Sequence, residues 1–219
     1  MKDSDVSVRE TAPRYPVPTR LLTYEDYRKT PPGERYELVE GVLHRMDAPT
    51  TVHQDVLRRI ERLLYDQLQA RGRGRIYRAP VDVVLDNHNV LQPDLLFVAA
   101  VRLEIITRAN VVAAPDLAIE VLSPSTSQWD RRVKRGVYAK YGVREYWLVD
   151  VDAQTVEVAV LSGAEPDQTE LTTAGVYPSG DMVKSPLLPD LAIDVTELFA
   201  DDFGGYGGGS ARGDLPSSP

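Results

Sequence analysis

Apolar and polar positions along this chain follow two periods, and each period marks a kind of element. Between about residues 20 and 200 they predict the order helix, strands, helix, strands, helix, strands. Leu22 to Tyr27 reads as a short helix capped by Thr23, with Glu25 and Asp26 in its first turn, where acids meet the positive end of the helix. Tyr36-Glu37-Leu38-Val39 and Val42-Leu43-His44-Arg45 read as a hairpin around Glu40-Gly41, with Glu37 opposite His44 on one face. Thr51-Val52-His53-Gln54 has the spacing of a capping box. The helix it opens places Val56, Ile60, Leu63, Leu64 and Leu68 on one stripe and Arg58, Arg59 and Arg62 off it, and Gly72 can end it.

Farther along, Val81, Val83 and Leu85 alternate with Asp82, Val84 and Asp86, the pattern of a half-buried strand with Asp82 toward solvent. Pro93-Asp94 leads into the apolar run Leu95-Leu96-Phe97-Val98, and Glu120 interrupts the run Leu117-Ala118-Ile119-Glu120-Val121-Leu122. Ser125, Thr126 and Ser127 offer caps for a helix over roughly 130–141, closed by Gly142. Its apolar stripe is Val133, Val137 and Tyr141; Asp130, Lys134 and Tyr138 share a neighbouring face. Glu145 to Asp150 and Thr155 to Val160 form a second hairpin, with Tyr146 and Trp147 in the core, and the stretch from Leu187 to Phe199 closes the domain as a strand or short helix. The expected fold is a single α/β domain over 20–200, a mixed sheet with helices on its faces. Residues 1–19 carry Pro13, Pro16 and Pro18 without periodicity and read as a loose arm, and 201–219 read as a flexible Gly-rich tail.

Composition narrows the chemistry. The 219 residues, 42% hydrophobic and 26% charged, suit one ordinary globular domain with short tails. The absence of cysteine excludes disulfides, zinc–thiolate sites and a thiol nucleophile. His44, His53 and His88 are too scattered for a zinc cluster. No apolar run is long enough to span a membrane, and Met1-Lys2-Asp3-Ser4-Asp5 lacks the form of a signal peptide, so a cytoplasmic protein is expected. A net charge of −8 argues against a protein that coats nucleic acid nonspecifically, but carboxylates gathered in a metal site add negative charge of their own. Arg71, Arg73, Arg75 and Arg78 form one basic group and Arg131, Arg132, Lys134 and Arg135 another; each reads equally as a solvated face.

An acid inside a strand that otherwise reads as buried is costly unless a partner or a metal compensates it. Asp94, Glu120 and Lys134, with Asp130 one turn before the lysine, suit a site where a divalent cation assists phosphodiester hydrolysis. The plain alternatives are an acid that begins a strand at Asp94, a structural ion pair at Glu120 and a surface lysine at Lys134. His53, at a helix start, has a cap neighbour as its plain reading.

Several ordered motifs resemble the Uma2 family of restriction endonuclease-like proteins, within the PD-(D/E)xK nuclease superfamily. They are Glu34 to Gly41, His53-Gln54, Gln92-Pro93-Asp94, Glu120 to Thr126, Asp130, Lys134, Tyr138 and Gly142 to Asp150, and they span about residues 20–200. The resemblance implies a restriction-endonuclease-like core that uses Mg²⁺ or Mn²⁺. Asp94 and Glu120 match the metal-binding acids, and the carbonyl of Val121 matches a third ligand. Glu37 matches an additional N-terminal acid, and His53, Asp130 and Tyr138 are candidate supporting or substrate-contacting residues. The short motif of the superfamily has lysine two residues after the second acid, where this chain has Leu122; Lys134 on the following helix is the candidate replacement. The leading expectation is a metal-dependent DNA endonuclease, acting as a homodimer if it cuts both strands. The second is a nuclease-like module that binds nucleic acid or protein without cutting, and the third a hydrolase of smaller phosphate esters.

Overall fold

The computed structural model describes residues 20–163 and 168–200; the N-terminal arm and the Gly-rich tail fall outside them. The chain opens with helix α1 (Tyr24–Tyr27), capped as its sequence suggests. The Thr23 hydroxyl accepts from the Asp26 amide, and the Asp26 carboxylate accepts from the Thr23 amide at 2.9 Å. Strands β1 (Tyr36–Val39) and β2 (Val42–Arg45) form the predicted hairpin, with Glu37 paired to His44. Its two-residue turn needs left-handed backbone at Glu40 (φ 49°) and Gly41 (φ 74°), a geometry that matches the twist of a tight hairpin. Together with β4 (Val83–Asp86) and β5 (Asn89–Leu91) they make a four-stranded antiparallel sheet in the order β2-β1-β5-β4.

The larger sheet has six strands in the order β10-β9-β8-β7-β6-β3. These are β3 (Gly74–Arg78), β6 (Leu95–Ala99), β7 (Leu117–Leu122), β8 (Glu145–Asp150), β9 (Thr155–Ser162) and β10 (Glu170–Pro178). All its neighbours run antiparallel except β7 and β8. A parallel pair cannot be joined by a tight turn, so the chain must cross over one face of the sheet. The crossover is a continuous helical segment made of α3 (Ser127–Trp129), a π-helical turn at Asp130–Lys134 and α4 (Arg135–Tyr141), ended by Gly142 at φ 86°.

Each face of the six-stranded sheet is covered by helix. Helix α2 (Thr51–Leu64) lays Val56, Ile60 and Leu64 against Ile119, Val121 and Trp147, joined there by Leu198 of α5 (Val195–Phe199). Helix α4 lays Val137 and Tyr138 against Ala118, Tyr146 and Leu148 on the opposite face. Trp147 and Tyr146 are fully buried, one on each side. Strand β7 is buried at all six positions, which is why every residue in it except Glu120 is apolar.

Several expectations shift. The cap of α2 is Thr50, whose hydroxyl accepts from the His53 amide, so the helix begins one residue earlier than the Thr51 capping box required. Arg59 is buried and donates to the Leu198 carbonyl, because α5 closes over that side of α2. Asp82 is not simply solvated: it accepts from the Tyr27 hydroxyl and the Gln92 amide. Strands β3 and β10 lack a legible pattern because they are the edges of the sheet, where one side of each strand faces solvent and arginine or threonine is tolerated. The basic group around Arg131 is not a solvated face either. Arg131 bridges Asp150 and Glu157, and Arg135 pairs with Glu157 and donates to the Leu171 carbonyl. These contacts fasten the crossover helix to β8, β9 and β10.

Glu157 holds that attachment together. Burial alone would raise its pKa, but the Thr173 hydroxyl and the Arg135 and Arg131 guanidinia outweigh burial and hold it below the usual glutamate range. A carboxylate with a depressed folded pKa contributes stability above its unfolded pKa and loses that contribution as pH falls. Glu157→Gln is therefore expected to cost about 1 kcal/mol at neutral pH in urea unfolding. The difference from wild type should shrink below about pH 4.3, the ordinary glutamate pKa; a pH-independent difference would refute the charge-based account.

Candidate active site

Strand alternation sets the two central acids on one face. In the β6–β7 register Leu96 lies against Ala118 and Leu95 against Ile119, so continuing by one residue sets Asp94 against Glu120. Asp94 lies just before β6, after Pro93, where the ladder has stopped. Its side chain replaces the missing strand, with Oδ2 accepting the Val121 amide at 2.9 Å. The same oxygen lies 3.0 Å from Nε2 of His53, in the first turn of α2. A strand residue points its N–H and C=O to the same side. The Val121 carbonyl therefore also faces the gap beside Asp94, at the end of the β6 ladder.

The crossover helix returns over that face of β7 and delivers Lys134 to Glu120. Lys134 is fully buried, with Nζ 2.9 Å from Glu120 Oε1, 3.0 Å from Glu37 Oε1 and 3.4 Å from Asp130 Oδ1. Tyr138, one helical turn later, donates its hydroxyl to the same Glu120 oxygen at 3.0 Å. Glu37 arrives from β1 of the smaller sheet, and its Oε1 also accepts the Gln92 amide at 2.9 Å. The seven candidate side chains form two contacting groups, His53 with Asp94 and the set Glu37, Glu120, Asp130, Lys134 and Tyr138, which meet at one cavity lined by His53, Asp94, Glu120, Asp130 and Lys134. Asp130 is buried, so its pairing with Lys134 is not the weak exposed contact that spacing alone suggests.

The electrostatics of the cluster are unbalanced. Four carboxylates (Glu37, Asp94, Glu120 and Asp130) act on one ammonium, an excess of three formal negative charges. Burial pushes the Glu37, Glu120 and Asp130 carboxyls up from their ordinary values, with Lys134 opposing the rise in each case. Burial would lower the Lys134 pKa, but Glu120, Glu37, Asp130 and Asp94 outweigh it and hold the ammonium charged. Glu37 Oε2, His53 Nδ1 and Asp130 Oδ1 are buried without a hydrogen-bond partner among the described residues. The His53 orientation that fits carries a proton on Nε2 and donates it to Asp94, since the carboxylate can only accept.

Asp94, Glu120, Val121, His53 and Lys134 line a cavity of about 220 Å³, together with the loop from Met46 to Thr50 and the turn from Ser123 to Thr126. The fit to a divalent cation can be read from the donors. Asp94 and Glu120 each engage one carboxylate oxygen in protein hydrogen bonds, leaving Asp94 Oδ1 and Glu120 Oε2 without a hydrogen-bond partner among the described residues. No group of three His, Cys, Asp or Glu side chains among the described residues is gathered to hold a metal by itself. Two carboxylates and a carbonyl suit a hard cation that keeps several waters, and the excess negative charge favours one. The sequence placed Arg35 and Gln92 within the family motifs but did not mark them as site residues. Arg35 also lines the cavity, and its Nε donates to the Gln92 side chain at 3.2 Å. The position of Gln92, two residues before Asp94, was the available signal.

Removing the ammonium leaves the buried acids uncompensated. Lys134→Met is expected to destabilise the fold by about 3–5 kcal/mol in urea unfolding at neutral pH. Carboxyls with raised folded pKa bind protons more tightly when folded, so the loss should shrink as pH falls. A loss below about 1 kcal/mol, or one that grows with acid, would show that the lysine does not neutralise this cluster.

Two comparisons place the chain among known proteins. Among solved structures, it is similar to a crystal structure from Anabaena variabilis ATCC 29413 described as "a putative nuclease belonging to DUF820". The two share 23% identity at a TM-score of 0.63, over 81% of this chain and 97% of that one, a likeness of fold. A comparison with curated proteins finds no match. A family model matches residues 23–196, including every candidate site residue; its description is "Putative restriction endonuclease". The chain belongs to the Uma2 family.

Proposed function

We propose that this chain is a metal-dependent endonuclease that hydrolyses DNA phosphodiester bonds, with Mg²⁺ or Mn²⁺ as its cation. The observation that carries the reading is the convergence of Asp94 and Glu120 from adjacent segments into one cavity, with a buried lysine 2.9 Å from Glu120. The family description and the nuclease description of the Anabaena variabilis structure support the same reaction class.

Asp94 and Glu120 would hold the cation, with the Val121 carbonyl as a further ligand. When bound, the cation supplies Lewis acidity at phosphorus and acidifies a water. The remaining work falls to the side chains. His53 and the Val121 amide pin one oxygen of Asp94, which turns the other toward the cavity. Lys134 and Tyr138 pin one oxygen of Glu120 in the same way. Lys134 also places a fixed positive charge beside the reacting phosphate, where it offsets negative charge that develops during hydrolysis. The lysine comes from the crossover helix, not from β7, and reaches the Glu120 carboxylate despite the apolar Leu122 in the motif position.

A second reading has an observation of its own. Lys134 Nζ is enclosed by three carboxylates at 2.9–3.4 Å, so a water or phosphate must compete with them for the ammonium. That arrangement suits a nuclease-like module that binds DNA without cutting it. Cutting both strands would call for two copies related by symmetry.

Two measurements separate the readings. In calorimetric titration with Mn²⁺, wild type is expected to bind and Asp94→Ala to lose most of the heat; equal isotherms would remove the metal site. In plasmid cleavage with Mg²⁺ or Mn²⁺, Glu120→Ala is expected to lower turnover on the order of a hundredfold or more. Salt-sensitive DNA binding by wild type with no turnover in either metal would decide for the non-cutting module.

A further inference from the structure

The cavity is lined by Asp47, Asp94, Glu120 and Asp130, so a phosphodiester that enters it meets negative charge on several sides. Its basic side chains are not equally available to meet that phosphate. Lys134 is enclosed by Glu37, Glu120 and Asp130, and His53 is committed to Asp94. Arg35 differs. Only its Nε is engaged, by the Gln92 side-chain oxygen at 3.2 Å, and its two terminal nitrogens have no partner among the described residues. It stands partly buried at the cavity wall, on the segment that leads into β1.

The support behind Arg35 is rigid. The Gln92 amide nitrogen donates to the Tyr27 hydroxyl at 3.0 Å and to Asp82 at 2.9 Å, which fixes which end of the amide faces Arg35. Tyr27 in turn donates to Asp82 at 2.6 Å. The backbone amide of the same Gln92 holds Glu37, the acid paired to Lys134. One buried glutamine therefore sets both the guanidinium at the cavity wall and a carboxylate of the ion cluster. An arginine needed only for solubility would not require an oriented amide behind its Nε, whereas a guanidinium steered by Nε presents its two terminal nitrogens as a planar fork.

We propose that Arg35 is a phosphate-binding residue, receiving through its two terminal nitrogens a backbone phosphate of the nucleic-acid strand that enters the Asp94–Glu120 cavity. It is oriented by the chain Asp82, Tyr27 and Gln92. The inference rests on the nuclease reading for the identity of the ligand, and it assigns a role that the metal-binding acids cannot fill. Gln92 is a positioning residue for Arg35; its side-chain contacts to Tyr27, Asp82 and Arg35 leave it no contact with the ligand.

The test measures binding of a short fluorescein-labelled DNA duplex to the full chain by anisotropy, in Ca²⁺, a hard cation with looser geometry than Mg²⁺. The measurement is repeated over a range of KCl. Arg35→Ala is expected to weaken binding roughly tenfold and to reduce the slope of log affinity against log salt by about 0.9, the loss of one phosphate contact. Arg35→Lys should restore the slope but not the full affinity, because it keeps the charge and loses the fork. A wild-type slope in Arg35→Ala, at equal or weaker affinity, overturns the proposal by reducing Arg35 to a structural role, and so does a wild type that does not bind the duplex. Plasmid cleavage in Mg²⁺ distinguishes the two levels. Cutting by wild type with an Arg35-independent slope overturns this assignment alone, whereas an Arg35-dependent slope without cutting supports it and overturns the endonuclease.

Discussion

The interaction on which the rest depends is the burial of one ammonium among carboxylates drawn from three parts of the chain. Lys134 comes from the crossover helix, Glu120 from the centre of the large sheet and Glu37 from the small sheet. None of these charges is stable in the interior without the others, since an isolated buried ion costs several kcal/mol even after relaxation. The cluster therefore ties the two sheets and the crossover helix into one arrangement. It still leaves an excess of negative charge, and the free oxygens of Asp94 and Glu120 lie where that excess meets the cavity. The structural role of the cluster and its chemical potential come from the same imbalance.

Topology explains how the lysine comes to stand at Glu120 although Leu122 occupies the motif position. Strands β7 and β8 are parallel, so the segment between them must pass over a face of the sheet, and it passes over the face that Glu120 occupies. The four-residue spacing of Asp130, Lys134 and Tyr138 aligns all three with that face, and the π-helical turn ends at the lysine itself. Arg131 and Arg135 hold the outer side of the same helix to Asp150 and Glu157. The helix is thus fastened on both sides of the residue it delivers.

Not every buried acid belongs to this chemistry. Glu145 is fully buried in β8, yet its oxygens accept from the Trp147 indole, the Ser185 hydroxyl and the Leu187 amide, three donors of ordinary structural type. Asp116, equally buried, is met by the Ala99 amide, Arg102 and Arg144. These acids are satisfied. Glu37 and Asp130 keep a buried oxygen with no hydrogen bond, and Glu120 keeps one toward the cavity. An acid within an apolar run is therefore a weak sign by itself; what separates the two kinds is whether the surrounding donors are enough.

The sequence by itself determined the elements whose two sides differ in environment, because burial imprints a period on the side chains. The hairpin at Glu40-Gly41, the stripe of α2, the apolar run of β7 and the helix carrying Lys134 were all legible for that reason. The edge strands β3 and β10 were not, since their exposed sides accept almost any residue, and the start of α2 moved by one position because Thr50 and Thr51 are both competent caps. Within the site, residue type and motif order named Asp94, Glu120, Lys134, Glu37 and His53. Only the tertiary structure decided that Lys134 is enclosed by three acids, that Asp94 replaces a strand at the Val121 amide, and that Gln92 links Glu37 to Arg35. Those facts depend on contacts between residues far apart in the chain, and spacing along a sequence carries no record of distance through space.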